Sequence, residues 1–185
     1  MSVIRTMKEF SNIVTKLNIS AVYLFIGNGA KLQYDNMEKV KSILGPVVED
    51  LDRNHGARKW LAVYGGDTWV EDSPDLGACM YWVKHVYKPH VMSVQGWEEH
   101  DEFVDYVYRY EEKKDAQGRT LYGGVSDGEL VGGSQVYLGS EFLTYLTGVV
   151  NVDARGRVGT QELDYARKVG VQIITVEPAL QRYKY

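Results

Sequence analysis

The chain has 185 residues, a formal net charge of -4, 44% apolar and 25% charged residues, a single cysteine and 14 tyrosines. These values suit one globular domain with a sizeable core. They argue against a broad electrostatic footprint for a nucleic acid polymer, and one thiol excludes an internal disulfide. No apolar run approaches the about 20 residues that span a bilayer, and the start, "MSVIRTMKEFSNIV", lacks the apolar centre of a secretory signal. The expectation is a cytoplasmic, soluble protein of one domain, residues 1–185.

In chain order, residues 6–17 predict a short amphipathic helix with Met7, Phe10, Ile13 and Val14 on one face. "AVYLFIGNGA" is an apolar run ending in glycines, as expected of a strand buried on both faces. A helix follows from about Asn36 to Leu51, kinked or divided by Pro46. "WLAVYGGDTW" is a second buried strand, Leu76 to Tyr87 a helix around Cys79, and "HVMSVQG" a third strand. "EEHDEFVDYVYRYEEK" predicts a further helix with a solvated acidic face.

Residues 113–135 hold many turn formers and predict a long loop or small hairpin inserted in the domain. "QVYLGSEFLTYLTG" predicts a partly helical stretch. "VVNVDA" then predicts a strand, "GTQELDYARKVG" a helix with Leu163, Ala166 and Val169 toward the sheet, and "VQIITVE" the last strand. Apolar strands alternating with helices predict an α/β domain: a doubly wound, Rossmann-like, mostly parallel sheet of five strands with helices on both faces. "AVYLFIG" and "VVNVDA" are expected as neighbours at its centre.

Ligands of such sheets bind beyond the carboxyl ends of the strands, where strand order reverses. Three of those ends carry glycine: Gly27 with Asn28, Gly65 with Gly66 and Asp67, and the stretch from Asp153 through Gly159 to Thr160. Glycine lets backbone amides approach a phosphate or ribose closely. Glu162 falls in the first turn of the helix that Thr160 can cap. The helix dipole stabilises a carboxylate there without any catalysis. The same carboxylate at a ligand edge can attack or stabilise a ribose anomeric carbon, whose transition state is oxocarbenium-like. Arg155 and Arg157 are equally open between phosphate contact and ordinary exposure. The four histidines show no metal-ligand spacing, so neither a metal nor a cofactor is expected.

"LAVYGGDTWVEDSPDLGACMYWVKHVYKPHVMSVQG" resembles the Lonely Guy pattern of a strand ending in Tyr-Gly-Gly followed by a glycine-containing helix and a closing strand. "GRVGTQELDYARKVGVQIITV" resembles the Gly-Thr-x-x-Glu helix of that group, and also the Glu-Leu-x-Tyr-Ala segment of nucleoside 2-deoxyribosyltransferases. Both groups belong to a wider SLOG-type Rossmannoid class, and the resemblance spans most of residues 20–178 outside the insertion. The chain departs from the Lonely Guy pattern in carrying Ala154, Arg155, Gly156 and Arg157 before its Gly-Thr, and Leu163 where that family has its glutamate. It keeps Glu162, Leu163, Tyr165 and Ala166 in step with the deoxyribosyltransferase segment.

The resemblance implies an N-glycosidic-bond hydrolase or (deoxy)ribosyltransferase acting on a nucleoside or nucleotide, with Glu162 as nucleophile. The alternative it carries is a non-catalytic module that binds a nucleotide-derived signal. Together with the tyrosine excess, it also implies a homodimer or higher homo-oligomer.

Overall fold

A computed structural model describes residues 1–27, 36–65, 75–95, 101–109, 113–114, 116–117, 120–121, 125–126, 129–130, 145–153, 163–164 and 166–176. Its centre is a seven-stranded, all-parallel sheet. The strands are β1 (Ser2–Ile4), β2 (Ala21–Ile26), β3 (Trp60–Gly65), β4 (His90–Gln95), β5 (Tyr106–Arg109), β10 (Gly148–Asn151) and β11 (Gln172–Thr175). Between β5 and β10, short strands β6 (Lys113–Lys114) and β7 (Thr120–Leu121) form one antiparallel pair, and β8 (Val125–Ser126) and β9 (Glu129–Leu130) another. Both pairs fall within the stretch that the turn formers mark as a long loop or small hairpin.

Strand order across the large sheet is β1-β5-β4-β3-β2-β10-β11. From β2 the chain builds outward through β3, β4 and β5, then returns to add β10 and β11 on the other side of β2. Order therefore reverses between β2 and β10, which are hydrogen-bonded neighbours. The predicted adjacency of these two strands holds, although β3 occupies the middle place.

The apolar runs alternate strictly between two cores. On β2, Ala21, Tyr23 and Phe25 enter one cluster and Val22, Leu24 and Ile26 the other. A strand with both faces covered has no use for polar alternation, which explains the uninterrupted apolar runs. The first cluster takes Met37, Val40, Leu44, Val48 and Leu51 from helix α2 (Met37–His55), and Ala78, Cys79, Met80 and Val83 from helix α3 (Leu76–Tyr87). The second takes Phe10 from helix α1 (Met7–Lys16), with Met7, Ile13 and Val14 packed against it, and Leu163 and Ala166 from the helical residues 163–164 and 166–169.

The helix ends are chemically specified. Thr6 caps α1 by accepting from the Glu9 N–H at 3.2 Å, while its hydroxyl donates to the Glu9 carboxylate at 3.1 Å. Asn36 caps α2 by accepting from the Lys39 N–H at 3.0 Å. Asp75, itself buried, caps α3 by accepting from the Ala78 N–H at 2.7 Å.

Four expectations are corrected. The sheet has seven strands rather than five. Residues 106–109, expected as helix, are strand β5. Val107 faces the α2/α3 core while Tyr106 and Tyr108 face the other, a period of two that the surrounding acidic residues obscure. Pro46 does not divide α2, which continues through it to His55. Val169 is 45% exposed, at the end of a helix that Gly170 closes with φ +80°.

The connection from β4 to β5 makes a parallel crossover, and its described part, residues 101–105, carries no helix. Side chains pin it instead. The buried Tyr64 hydroxyl donates to the Asp101 carboxylate. Phe103 stacks on Tyr64 at 6.2 Å and meets Tyr81 of α3 edge-on at 5.6 Å. Asp105 accepts from the Lys84 ammonium at 2.6 Å and from the Val91 N–H at 2.9 Å. The half-buried carboxylates of Asp101 and Asp105 are thus each held by a donor.

Candidate functional site at the carboxyl edge of the sheet

Parallel α/β sheets bind ligands where strand order reverses, and here that reversal falls between β2 and β10. The register aligns Ile26 with Asn151 and Phe25 with Tyr64, so β2, β3 and β10 end nearly level. Gly27 directly follows β2, and Gly65 closes β3 one strand away. The Val152 N–H donates to the Ile26 carbonyl at 2.9 Å and the Asp153 N–H to the same oxygen at 3.5 Å, carrying the β10 backbone alongside the end of β2. Three predicted residues, Gly27, Gly65 and Asp153, are therefore gathered at one edge. Asn28, Gly66, Asp67, Gly159, Thr160 and Glu162 lie outside the described residues.

Asp153 is fully buried. A buried carboxylate is costly unless it is held by donors, so its placement beside the strand reversal is a structural commitment of the fold. The other buried polar side chains among the described residues are Asp75, Ser93, Gln95 and Asn151. Gln95 and Asn151 are the last residues of β4 and β10, Ser93 lies two before the end of β4, and Asp75 starts the helix that follows β3. All therefore cluster at the carboxyl edge, and the Ser93 hydroxyl donates to Gln95 Oε1 at 3.3 Å.

Sequence reasoning missed Ser93, Gln95, Asn151 and the Asp101–Tyr64 pair. The signal was present for the first three: a polar residue late in a strand that is otherwise wholly apolar. Asp101 carried none, because its partner is 37 positions away.

The amino edge is built differently. There the Tyr23 hydroxyl is 2.8 Å from His55 Nε2, and the Trp60 indole donates to Asp52 at 2.8 Å, tying the end of α2 to the strand starts. Burial pushes the Tyr23 hydroxyl above its ordinary value. Cys79 is buried, and burial, aided by the Asp75 charge, drives its thiol far above the usual range. It stays protonated and packs as an apolar residue rather than acting as a nucleophile. Among the described residues no group of three or more His, Cys, Asp or Glu side chains could hold a metal ion, and no helix is long and apolar enough to cross a membrane.

No family model matches the chain, and no curated protein matches it.

Proposed function

We propose that the carboxyl edge around β2, β3 and β10 binds a nucleoside or nucleotide, and that the protein cleaves or transfers its N-glycosidic bond in a doubly wound, Rossmann-like domain of the SLOG or deoxyribosyltransferase type. The observation that carries the binding part is the reversal of strand order between β2 and β10, with Gly27, Gly65 and the buried Asp153 beside it.

Charge separates the two helix starts at this edge. The amino end of α3 already holds the Asp75 carboxylate, which disfavours a second anion there. The amino end of α2 is capped by the neutral Asn36, and its first-turn carboxylate, Glu38, is exposed and paired with Lys41, so a phosphate is better placed there, where the helix dipole favours it.

The catalytic part rests on Glu162, by sequence pattern. Its carboxylate would attack the anomeric carbon as the C–N bond breaks, and the departing base would take up a proton from solvent. Water or a second base would then release the sugar. The enzyme works in this reading as a homodimer or higher assembly in the cytoplasm, and it needs no metal or cofactor.

The test incubates the protein with a panel of nucleosides and nucleoside monophosphates and follows free base by chromatography. Release of base is expected, and Glu162→Gln should slow it by about a hundredfold or more while ligand still binds, because the loss falls on the transition state. Undiminished release by Glu162→Gln removes that residue from the chemistry. No release from any member, with a raised unfolding midpoint for one of them, leaves a binding module without turnover.

A further inference from the structure

The rim strand β11 lacks the features that keep sheet edges apart. Native edges are blunted by shortness, by charged side chains or by proline. Residues 171–176 read VQIITV: five of the six are β-branched, and none is charged or proline. The opposite rim, β1, is three residues long and is followed by Arg5. β11 ends the strand order and is hydrogen-bonded to β10 alone. The Val176 N–H donates to the Asn151 carbonyl at 3.2 Å, so by the alternation of a parallel ladder Ile174 and Gln172 also bond toward β10. Ile173 and Thr175 then turn their N–H and C=O groups outward, and among the described residues none bonds to them there.

The rim continues into an apolar flank. Gly45 and Glu49 mark the α3 side of α2: a Cβ on Gly45 would lie 3.6 Å from Trp82 Cη2, and the Tyr87 hydroxyl donates to the Glu49 carboxylate at 3.3 Å. Ile43 and Val47 lie two residues before and after Gly45, which places them on the opposite flank of the helix. Since α3 joins β3 to β4, that flank looks toward β10 and β11. Ile43, Val47 and Ile174 are all half-buried and pack on the same core.

We propose that β11 pairs antiparallel with β11 of a second copy of this chain, across a two-fold axis at Ile174, joining two sheets into one; the inference rests on the homo-oligomer proposed above and gives it a surface. Ile173 faces the partner's Thr175 and exchanges both N–H···O=C bonds with it, and the two-fold repeats the exchange. Every outward group of Ile173 and Thr175 is then used. Ile174 meets its own copy in a non-hydrogen-bonded pair, where Cα atoms come within about 4.5 Å. The two α2 flanks lie on the same face of the joined sheet, extending the apolar contact beyond the strands. Self-pairing sets like against like, which a charged rim would oppose. A charged peptide would instead be selected by opposite charge on the rim, and β11 carries none.

The test combines sedimentation velocity with oxidative cross-linking of the full chain. Wild-type protein is expected to sediment as a dimer whose fraction rises with concentration. Ile174→Cys should give a disulfide-linked dimer with copper–phenanthroline as oxidant, because the two sulfurs face each other within disulfide reach. Gln172→Cys is the register control: its two copies stand four residues apart along the pair, more than about 13 Å, and should not link. Cys79 is buried and adds no background. Thr175→Pro removes an outward N–H without touching a bond to β10, and should raise the dimer dissociation constant by at least about tenfold. If that variant does not fold, the two cysteine variants decide. A wild-type monomer at all workable concentrations overturns both the rim pairing and the oligomer. Unchanged dimer affinity in folded Thr175→Pro, or Ile174→Cys that links no better than Gln172→Cys, overturns the rim pairing and leaves the oligomer to another surface.

Discussion

Single atoms decide several positions. At Gly148, the first residue of β10, a Cβ would lie 2.9 Å from Tyr23 Cε1 and 3.2 Å from the Gln172 carbonyl oxygen. The oxygen belongs to the β11 backbone and cannot swing aside, while the Tyr23 ring is held by its bond to His55. Gly148→Ala is therefore expected to cost about 1–3 kcal/mol, the usual range for overpacking. Urea denaturation checks it, and an unchanged midpoint would show that β10 and β11 separate freely. His90, at the start of β4, has its imidazole pushed below the ordinary value chiefly by burial, with Lys84 and Arg58 adding to that and Asp105 opposing it. A folded-state value below the unfolded one means the unfolded chain binds the proton first. Stability from this group is thus fully present above the ordinary histidine value of about 6.5 and declines as pH falls through the lower folded value. Replacing His90 with Gln should flatten the fall of the unfolding midpoint in that window; an identical slope would assign the acid sensitivity elsewhere.

Elements differ in how much of themselves the sequence discloses. β2, β3 and β4 are six-residue strands buried along nearly their whole length, so their apolar runs could be read directly. Helices α1 and α3 were legible through the apolar spacing of Met7, Phe10, Ile13 and Val14 and through the Leu76-to-Tyr87 pattern. β1 was invisible because a three-residue edge strand leaves no periodic signal. β5 was misread because the acidic stretch before it shares its apolar spacing with a helix, and only pairing to both β4 and β1 selects the extended form. The candidate site was legible as glycine-bearing strand ends but not as buried polar residues, since burial at a strand end depends on neighbours distant in sequence. The persistence of α2 through Pro46 has an energetic consequence. Pro46 is exposed within the helix and offers no N–H to the preceding turn. Proline costs about 3 kcal/mol relative to alanine in a helix interior, while its stiffening of the unfolded chain returns up to about 1 kcal/mol. Pro46→Ala should accordingly stabilise the protein by about 2–3 kcal/mol. A lower thermal midpoint for the variant would mean that α2 is adapted to the proline.

At the scale of the whole molecule, stability should fall off from the middle of the sheet toward its rims. β3 is paired with β2 on one side and β4 on the other, and Trp60 to Tyr64 are all fully buried. Successive amides of such a strand bond alternately to its two neighbours, so each is closed off from solvent. β11 is paired only with β10, runs along the opposite rim from β1, and is half-buried or exposed along its length. Only every second amide of a rim strand can bond into the sheet, and little apolar area holds it there. Local opening should therefore release β11 and β1 at small free-energy cost, whereas β3 amides exchange only when the sheet itself unfolds. Native-state hydrogen exchange is expected to show protection at Leu61 to Tyr64 approaching the global unfolding free energy, with β11 exchanging orders of magnitude faster. If a partner subunit covers the β11 rim, as the proposed homo-oligomer permits, protection there should rise with protein concentration while that of β3 is limited by global unfolding. Equal protection of β3 and β11 at the lowest workable concentration would mean that the sheet opens only as one unit, and the graded picture would fail.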